Sequence, residues 1–598
     1  MPSVIDSAIL TVQPDPPDLR DYYYTPSLAP LRPFLDPPAT LAILHQGDEG
    51  ACTGFGLAAT INLLYRSQSE EYRVSPRMLY EMAKRYDEWV GADYEGSSCR
   101  GAIKGWKNSG VCLEQLAPYV AGDSSFTVTP DITTDARKRT LGTYYRLRPE
   151  LSDFHAALLE CGVIYVSANT HNGWFKPDDS DEGKTIPLKD DCKGGHAFAL
   201  VGYNRKGFWV QNSWGDDWGQ GGLALWLYED WAINLMDAWV VQLALPTPQI
   251  FDLGLIAGNN SSANQPVEAG SPPRVAIEEH FVHLDDGKYH NGGRYWSNPD
   301  HMKVVQSAIR REKPRHLLLY AHGGLNSIKA SARRIAAMKP VFLANGIYPF
   351  HFMYDTGLLE ELKDVIINKN SDAQLRSAGV RDWFDRRIED LTAKVGRALW
   401  REMKQGAQSP FSRIQSDGSD VLECLSDVID ELSGDIRVHV AGHSTGAILH
   451  AYALTRLEKQ RPEFSISTCS LLAPASTVSL FDQLYRPLLE NKFIQEMTIY
   501  KLNERLELDD IVAKIYGKSL LYLVSRAFED QTPEAIVGME KYRKQLDVSG
   551  LPVTSVISDG QNNKRSRSTS HGGFDDDPFT LNDMLKRILG HKPKRPFT

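Results

Sequence analysis

Two side chains in this 598-residue chain sit where the surrounding sequence turns them into candidate nucleophiles. Cys52, in QGDEGACTGFGLAA (46–59), precedes Phe55, Leu57, Ala58, Ala59, Ile61, Leu63 and Leu64, small and apolar residues at helical spacing. The cysteine therefore stands at or near the start of a buried helix, whose unpaired N–H groups and macrodipole favour a thiolate, the nucleophilic form. A thiolate needs a base that can become its cation. His196 opens the apolar run GGHAFALVGY (194–203), a rigid support for an imidazole. Asn212 ends a second strand-like run in GFWVQNSWGDDWGQGGLAL (207–225); its amide can accept the imidazole N–H and fix the tautomer, with Trp214 and Trp218 keeping water off that bond. The second candidate is Ser444 in RVHVAGHSTGAILHA (437–451), a G-x-S-x-G between a β-rich run and a helical pattern. Its glycines permit the tight turn that lifts the hydroxyl clear of a sheet. Both sites point to attack on a carbonyl and an acyl-enzyme that water releases.

These residues need positioning elements. In the second half, strand patterns fall near 316–321, 348–354, 436–442, 467–473, 496–502 and 552–558, with helical patterns between most of them. That alternation predicts a doubly wound parallel sheet. Residues 246–273 are rich in Pro, Gly, Asn, Ser and Ala and read as a linker. The boundary falls there, leaving domains at 18–245 and 274–590. The charged, helix-forming insert at 356–420, with Trp383, Phe384, Leu391 and Trp400, reads either as a cap over the site or as a solvated helix pair. Residues 559–570 read as a mobile loop, and the terminal HKPKRPFT as a disordered basic tail.

The first site resembles the papain family of cysteine peptidases over roughly Asp18 to Leu245. Gln46 lies six residues before Cys52, Asn212 sixteen after His196, and NSWG is followed by WG and further glycines, as in that family. The resemblance implies an α+β papain-like fold, a protein or peptide substrate, and Gln46 in the oxyanion hole beside the Cys52 backbone N–H. EGSSCR (95–100) loosely resembles the glycine-containing wall of the substrate cleft. The chain departs from the family at Thr53, where tryptophan is usual, and at Glu49, where a half-cystine is usual. No inhibitory propeptide of family length precedes the domain, so control is expected from elsewhere, such as the second domain.

The second site resembles the α/β-hydrolase family over roughly Arg274 to Leu589. That resemblance implies a serine hydrolase, esterase- or lipase-like, acting on an ester, lipid or amide. Its oxyanion donors would be Thr445 and the His322-Gly323-Gly324 turn, through Gly323 and Gly324. An acid and then a histidine should follow the serine. Asp509 is preferred to its neighbour Asp510 as the acid. His571 is the expected base, because His450 lies in the helix just after the elbow and His591 in the basic tail.

The bulk properties exclude some alternatives. A net charge of −10 and a pI near 5.9 give no basic excess to hold nucleic acid. The longest apolar runs fall far short of the ~20 residues that cross a bilayer. No pair among the seven cysteines has CxxC spacing, which argues against zinc, and their odd number argues for a reducing, cytoplasmic setting. A fusion of this kind suits a bacterium. The sequence thus predicts a bifunctional hydrolase that needs no metal or cofactor. The alternative is one active hydrolase whose other domain binds or regulates, with the peptidase cutting one partner or its own linker.

Overall fold

The computed structural model describes residues 10–15, 21–26, 31–87, 89, 95–122, 126–181, 183–244, 271–285, 287–323, 327–354, 389, 396–397, 400–413, 416–432, 436–510 and 516–598. The chain forms two units, one mainly Met1–Pro248 and the other mainly Ala276–Asn291 with Tyr295–Thr598. All seven cysteines are free thiols.

In the first unit three helices precede a sheet: α1 (Cys52–Ser67), α2 (Pro76–Tyr86) and α3 (Cys99–Ser109). The Ser75 and Ser98 side chains cap α2 and α3 by accepting from Met78 N and Gly101 N. No side chain caps α1, which starts at Cys52, so its first N–H groups are left for chemistry. The strands are β1 (Leu141–Arg146), β2 (Ile164–Thr170), β3 (Asp178–Ser180), β4 (Gly183–Ile186), β5 (Gly194–Tyr203), β6 (Gly207–Gln211), β7 (Leu223–Leu227) and β8 (Leu235–Leu243). They form one sheet in the order β1-β8-β2-β5-β6-β7-β4-β3, antiparallel except at β4–β7. A Cβ at Gly56 would lie 2.9 Å from Phe198 N, so only glycine lets α1 lie this close to β5. That approach brings the thiol to the strand that carries His196.

The second unit holds β9 (Phe281–Asp285), β10 (Lys288–Tyr289), β11 (His316–Ala321), β12 (Ile347–Tyr354), β13 (Arg437–His443), β14 (Ile466–Leu472), β15 (Met497–Leu502) and β16 (Val553–Ser558). Their order is β10-β9-β12-β11-β13-β14-β15-β16, all parallel except the β9–β10 hairpin. Alternate residues of β11 enter different cores. Leu317 and Leu319 pack with Val305, Leu425 and Leu454, whereas Leu318 and Tyr320 pack with Phe342, Met584 and Leu585. Side chains alternate across a strand, so helices cover both faces of this sheet.

Most of the 356–420 insert, including Trp383, Phe384 and Leu391, lies outside the described residues, as do residues 246–270 of the expected linker. Trp400 is buried, its indole N–H donating to Glu529 at 2.6 Å. The terminal tail differs from expectation. Asn345 bonds Lys594 N and Arg595 O, Asn582 bonds Phe597, and the Phe597 ring packs edge-on against Phe342. An apolar terminal residue next to a hydrophobic helix face is enough to dock it. Residues 559–563 form a turn in which the Asp559 side chain accepts three backbone N–H groups. Among the described residues, no helix is long and apolar enough to cross a membrane and no group of side chains could hold a metal ion.

Candidate active sites

Cys52 is the first residue of α1 and is fully buried. Backbone amides of Ala197 and Thr53 reach its sulfur. His196 is also fully buried, with Nε2 2.8 Å from Asn212 Oδ1. That oxygen accepts, so Nε2 carries the proton and Nδ1 is left as the acceptor. Nδ1 has no hydrogen-bond partner among the described residues. The Trp214 ring lies 4.8 Å from the imidazole and stacks on Phe175. Trp174, which sequence reasoning missed, meets the imidazole edge-on and takes the Trp218 indole N–H on its carbonyl at 2.6 Å. Burial pushes the Cys52 thiol up to about 12, against the pull of the neighbouring amides. It pushes His196 down to about 4, against the bond to Asn212. The sequence predicts a helix-stabilised thiolate. Burial thus acts against both the thiolate and the imidazolium, opposing the helix terminus.

Gln46 is fully buried and held at both ends of its amide. Ser213 Oγ donates to its Oε1 at 2.7 Å, and its Nε2 donates to Glu49 O at 3.0 Å. Ser213 is thus a support that the sequence reading passed over, although it follows Asn212 directly. Glu49 turns its carboxylate to Arg77 in a two-pronged pair, both bonds 2.7 Å, and also accepts from Tyr119, which donates to Gln46 O as well. Burial acts to raise the Glu49 carboxyl, but Arg77 and Tyr119 hold it below its usual range. At the position of the family's half-cystine, an ion pair thus ties the loop before α1 to α2. Glu49→Ala would leave the Arg77 head buried with Glu81 as its remaining carboxylate partner here. We expect a loss of about 2–3 kcal/mol, seen as a lower thermal midpoint. An unchanged melt would mean the pair adds nothing. At Thr53, where the family has tryptophan, the residue is buried and its carbonyl accepts from Tyr165 at 2.7 Å.

In the second unit Ser444 lies between β13 and the helix Gly446–Gln460. Its φ is +53°, a left-handed conformation that a non-glycine residue holds only under constraint. A Cβ at Gly446 would lie 2.3 Å from Ala321 O, so the turn is wedged against the end of β11. Ser444 Oγ lies 3.0 Å from His571 Nε2. His571 Nδ1 is buried without a partner among the described residues, and burial, then His443, pushes the ring down to about 3. Asp509 sits at the exposed end of the short helix Glu504–Asp509. It is Asp510 whose carboxylate accepts the His571 backbone N–H, at 2.8 Å. His450 is buried in its helix and bonded to Ala441 O.

A Cβ on Gly323 would stand 3.1 Å from Ser444 Cβ, so that backbone borders the serine; Gly324 lies outside the described residues. Thr445 Oγ1 bonds Tyr354 Oη at 2.9 Å, and Tyr354 donates to His322 O at 2.6 Å. This chain links the two turns that flank the serine. His443 bonds the His571 carbonyl at 2.9 Å and faces Asp575 at 3.5 Å, while Arg334 meets Asp575 at 3.1 Å. Neither Tyr354 nor Asp575 is signalled by sequence spacing, because both come from distant segments.

Comparison with known proteins bears on the first unit. The model of the papain family cysteine proteases matches residues 38–232. Macrodontain-1 of Ananas macrodontes is 24% identical over 185 residues, 30% of this chain and 80% of the relative. An uncharacterized peptidase C1-like protein of Acanthamoeba polyphaga mimivirus is 26% identical over 230 residues, 36% of this chain and 73% of the relative. Among solved structures, xylellain, a cysteine protease from Xylella fastidiosa, is 26% identical, with a TM-score of 0.37 over 40% of this chain and 97% of its own. The N-terminal part of the chain is a papain-like cysteine peptidase domain.

Proposed function

We propose that the chain is a bifunctional hydrolase: a cysteine peptidase acting through Cys52 and a serine hydrolase of α/β-hydrolase type acting through Ser444. The observation that carries the reading is the matching state of the two histidines. His196 Nε2 is held by Asn212 and His571 Nε2 meets Ser444, and in each ring the buried Nδ1 has no partner among the described residues.

In the first site His196 Nδ1 takes the thiol proton and Cys52 Sγ attacks the peptide carbonyl. The oxyanion forms beside the Cys52 N–H and the second amide hydrogen of Gln46. His196 returns the proton to the leaving amine, and water releases the acyl group from sulfur. In the second site His571 Nε2 takes the Ser444 proton as Oγ attacks an ester-like or amide carbonyl. Backbone amides of Thr445 and Gly323 face the oxyanion, and Asp510, rather than Asp509, orients the ring. The contact of Asp510 with the His571 amide supports that choice.

The test is covalent labelling of the intact chain, taken to completion, with an epoxysuccinyl thiol trap and a fluorophosphonate, followed by peptide mass spectrometry. We expect adducts on Cys52 and Ser444, lost respectively in His196→Ala and His571→Ala. The exposed Cys192 serves as an ordinary thiol for comparison. A fluorophosphonate adduct that survives His571→Ala would sink the serine assignment.

A further inference from the structure

The base of the second site rides on a soft piece of chain. His571 opens a short turn, His571–Gly573, whose other two residues are glycines, free of the limits that a side chain sets on φ and ψ. Its Nε2 must nonetheless stay 3.0 Å from Ser444 Oγ. The restraint comes from other segments. The His571 N–H donates to Asp510, and its carbonyl lies 2.9 Å from His443 Nε2. A carbonyl only accepts, so His443 Nε2 carries the proton and donates. The two holders differ in stiffness. Asp510 follows a six-residue helix. His443 is the last residue of β13, a strand paired with β11 on one side and β14 on the other.

The same imidazole meets the turn at Gly323. A Cβ there would lie 3.1 Å from His443 Nδ1 and 3.1 Å from Ser444 Cβ, so glycine lets the turn approach the ring this closely. One side chain on the nucleophile's own strand therefore touches both the turn that faces the oxyanion and the turn that carries the base. Asp575, just beyond the His571 turn, pins its other end. Its Oδ2 lies 3.1 Å from Arg334 Nε and accepts from Tyr320 Oη at 3.4 Å, and its carbonyl accepts from Arg334 Nη1 at 2.6 Å. The same Oδ2 faces His443 Nδ1 at 3.5 Å without a hydrogen bond, and both side chains are buried.

We propose that His443 is a positioning residue for the serine site: it holds the His571 main chain and the Gly323 turn in register with Ser444, while Asp575 and Arg334 pin the far end of the base turn. A side chain on a strand in the body of a sheet is a fixed reference, and a buried hydrogen bond from it transfers that rigidity to a loop. Proton transfer and attack both depend on such register, because the base must lie within hydrogen-bond reach of the hydroxyl before the carbonyl arrives. The inference rests on the serine-hydrolase reading of Ser444.

The experiment measures kcat and KM on a short-chain ester, and the rate and end point of fluorophosphonate labelling at Ser444, in the full chain and in His443→Leu, His443→Gln and Asp575→Asn. His443→Leu removes the donor to His571 O, whereas the glutamine amide still offers an N–H of similar reach. We expect His443→Leu to lower kcat and the labelling rate about 10²-fold, with KM within about twofold and the end point unchanged. His443→Gln should recover to within about tenfold of wild type, and Asp575→Asn should lose about tenfold. A residue that serves only the fold would lower the melting temperature and the end point together and leave the rate per labelled site unchanged. Circular dichroism melts identify a variant that does not fold, and Asp575→Asn decides where His443→Leu is that variant. A wild-type rate in the deciding variant, or a folded His443→Gln as slow as His443→Leu, would overturn the positioning role. No adduct at Ser444 in wild type would instead overturn the serine-hydrolase reading.

Discussion

Ser444→Ala is expected to remove essentially all hydrolysis of a short-chain ester, a loss of about 10⁵-fold or more, because nucleophile, base and acid act as a unit. The fold of the chain and the labelling of Cys52 should stay unchanged, since the two nucleophiles belong to different units. The sharper comparison is between two neighbouring carboxylates. Asp510→Asn should cost about 10³-fold or more in kcat, the scale on which an orienting acid acts through the tautomer of its histidine. Asp509→Asn should stay within about twofold, because its side chain is exposed. In the resting structure the Asp510 carboxylate holds the backbone of His571 and the ring Nδ1 has no partner among the described residues. Burial works against the ring as a base, and we expect Asp510 to engage Nδ1 when substrate binds. If both asparagine variants keep full activity, the acid lies elsewhere, and Asp575, buried beside His443, is the residue to change next.

How far the sequence reveals such sites depends on how local the signal is. The six strands expected in the second half lie within a residue or so of β11 to β16, because each is a short run rich in apolar or β-branched residues. β9 and β10 escape notice: FVHLD is five residues long, and Lys288–Tyr289 is a two-residue strand with no pattern of its own. Cys52, His196 and Asn212 are legible because each lies at the start or end of an apolar element. The choice between Asp509 and Asp510 is not legible. It turns on where a six-residue helix ends, and a shift of one residue exchanges the exposed carboxylate for the one that meets His571. The pairing of Val12 with Gly195 spans most of the first unit in sequence, and nothing in either segment announces it.

Cys52→Ala is expected to abolish peptide hydrolysis, while ester hydrolysis through Ser444 continues. The more informative variant is Gln46→Ala. Its amide is fixed by Ser213 and by Glu49 O, so its remaining hydrogen is aimed before substrate arrives. A preorganised donor of this kind acts on charge that develops in the transition state, and losing one costs about 10²–10³-fold in kcat with little change in KM. Ser213→Ala should give a weaker version of the same loss, because it frees the Gln46 side chain without removing it. Both are measured as kcat and KM on a fluorogenic peptide, with the Cys52 labelling rate recorded alongside. A Gln46→Ala variant with unchanged kcat and raised KM would assign the amide to substrate binding. In that case the helix N-terminus would have to stabilise the oxyanion alone, which is the role that the uncapped start of α1 leaves open.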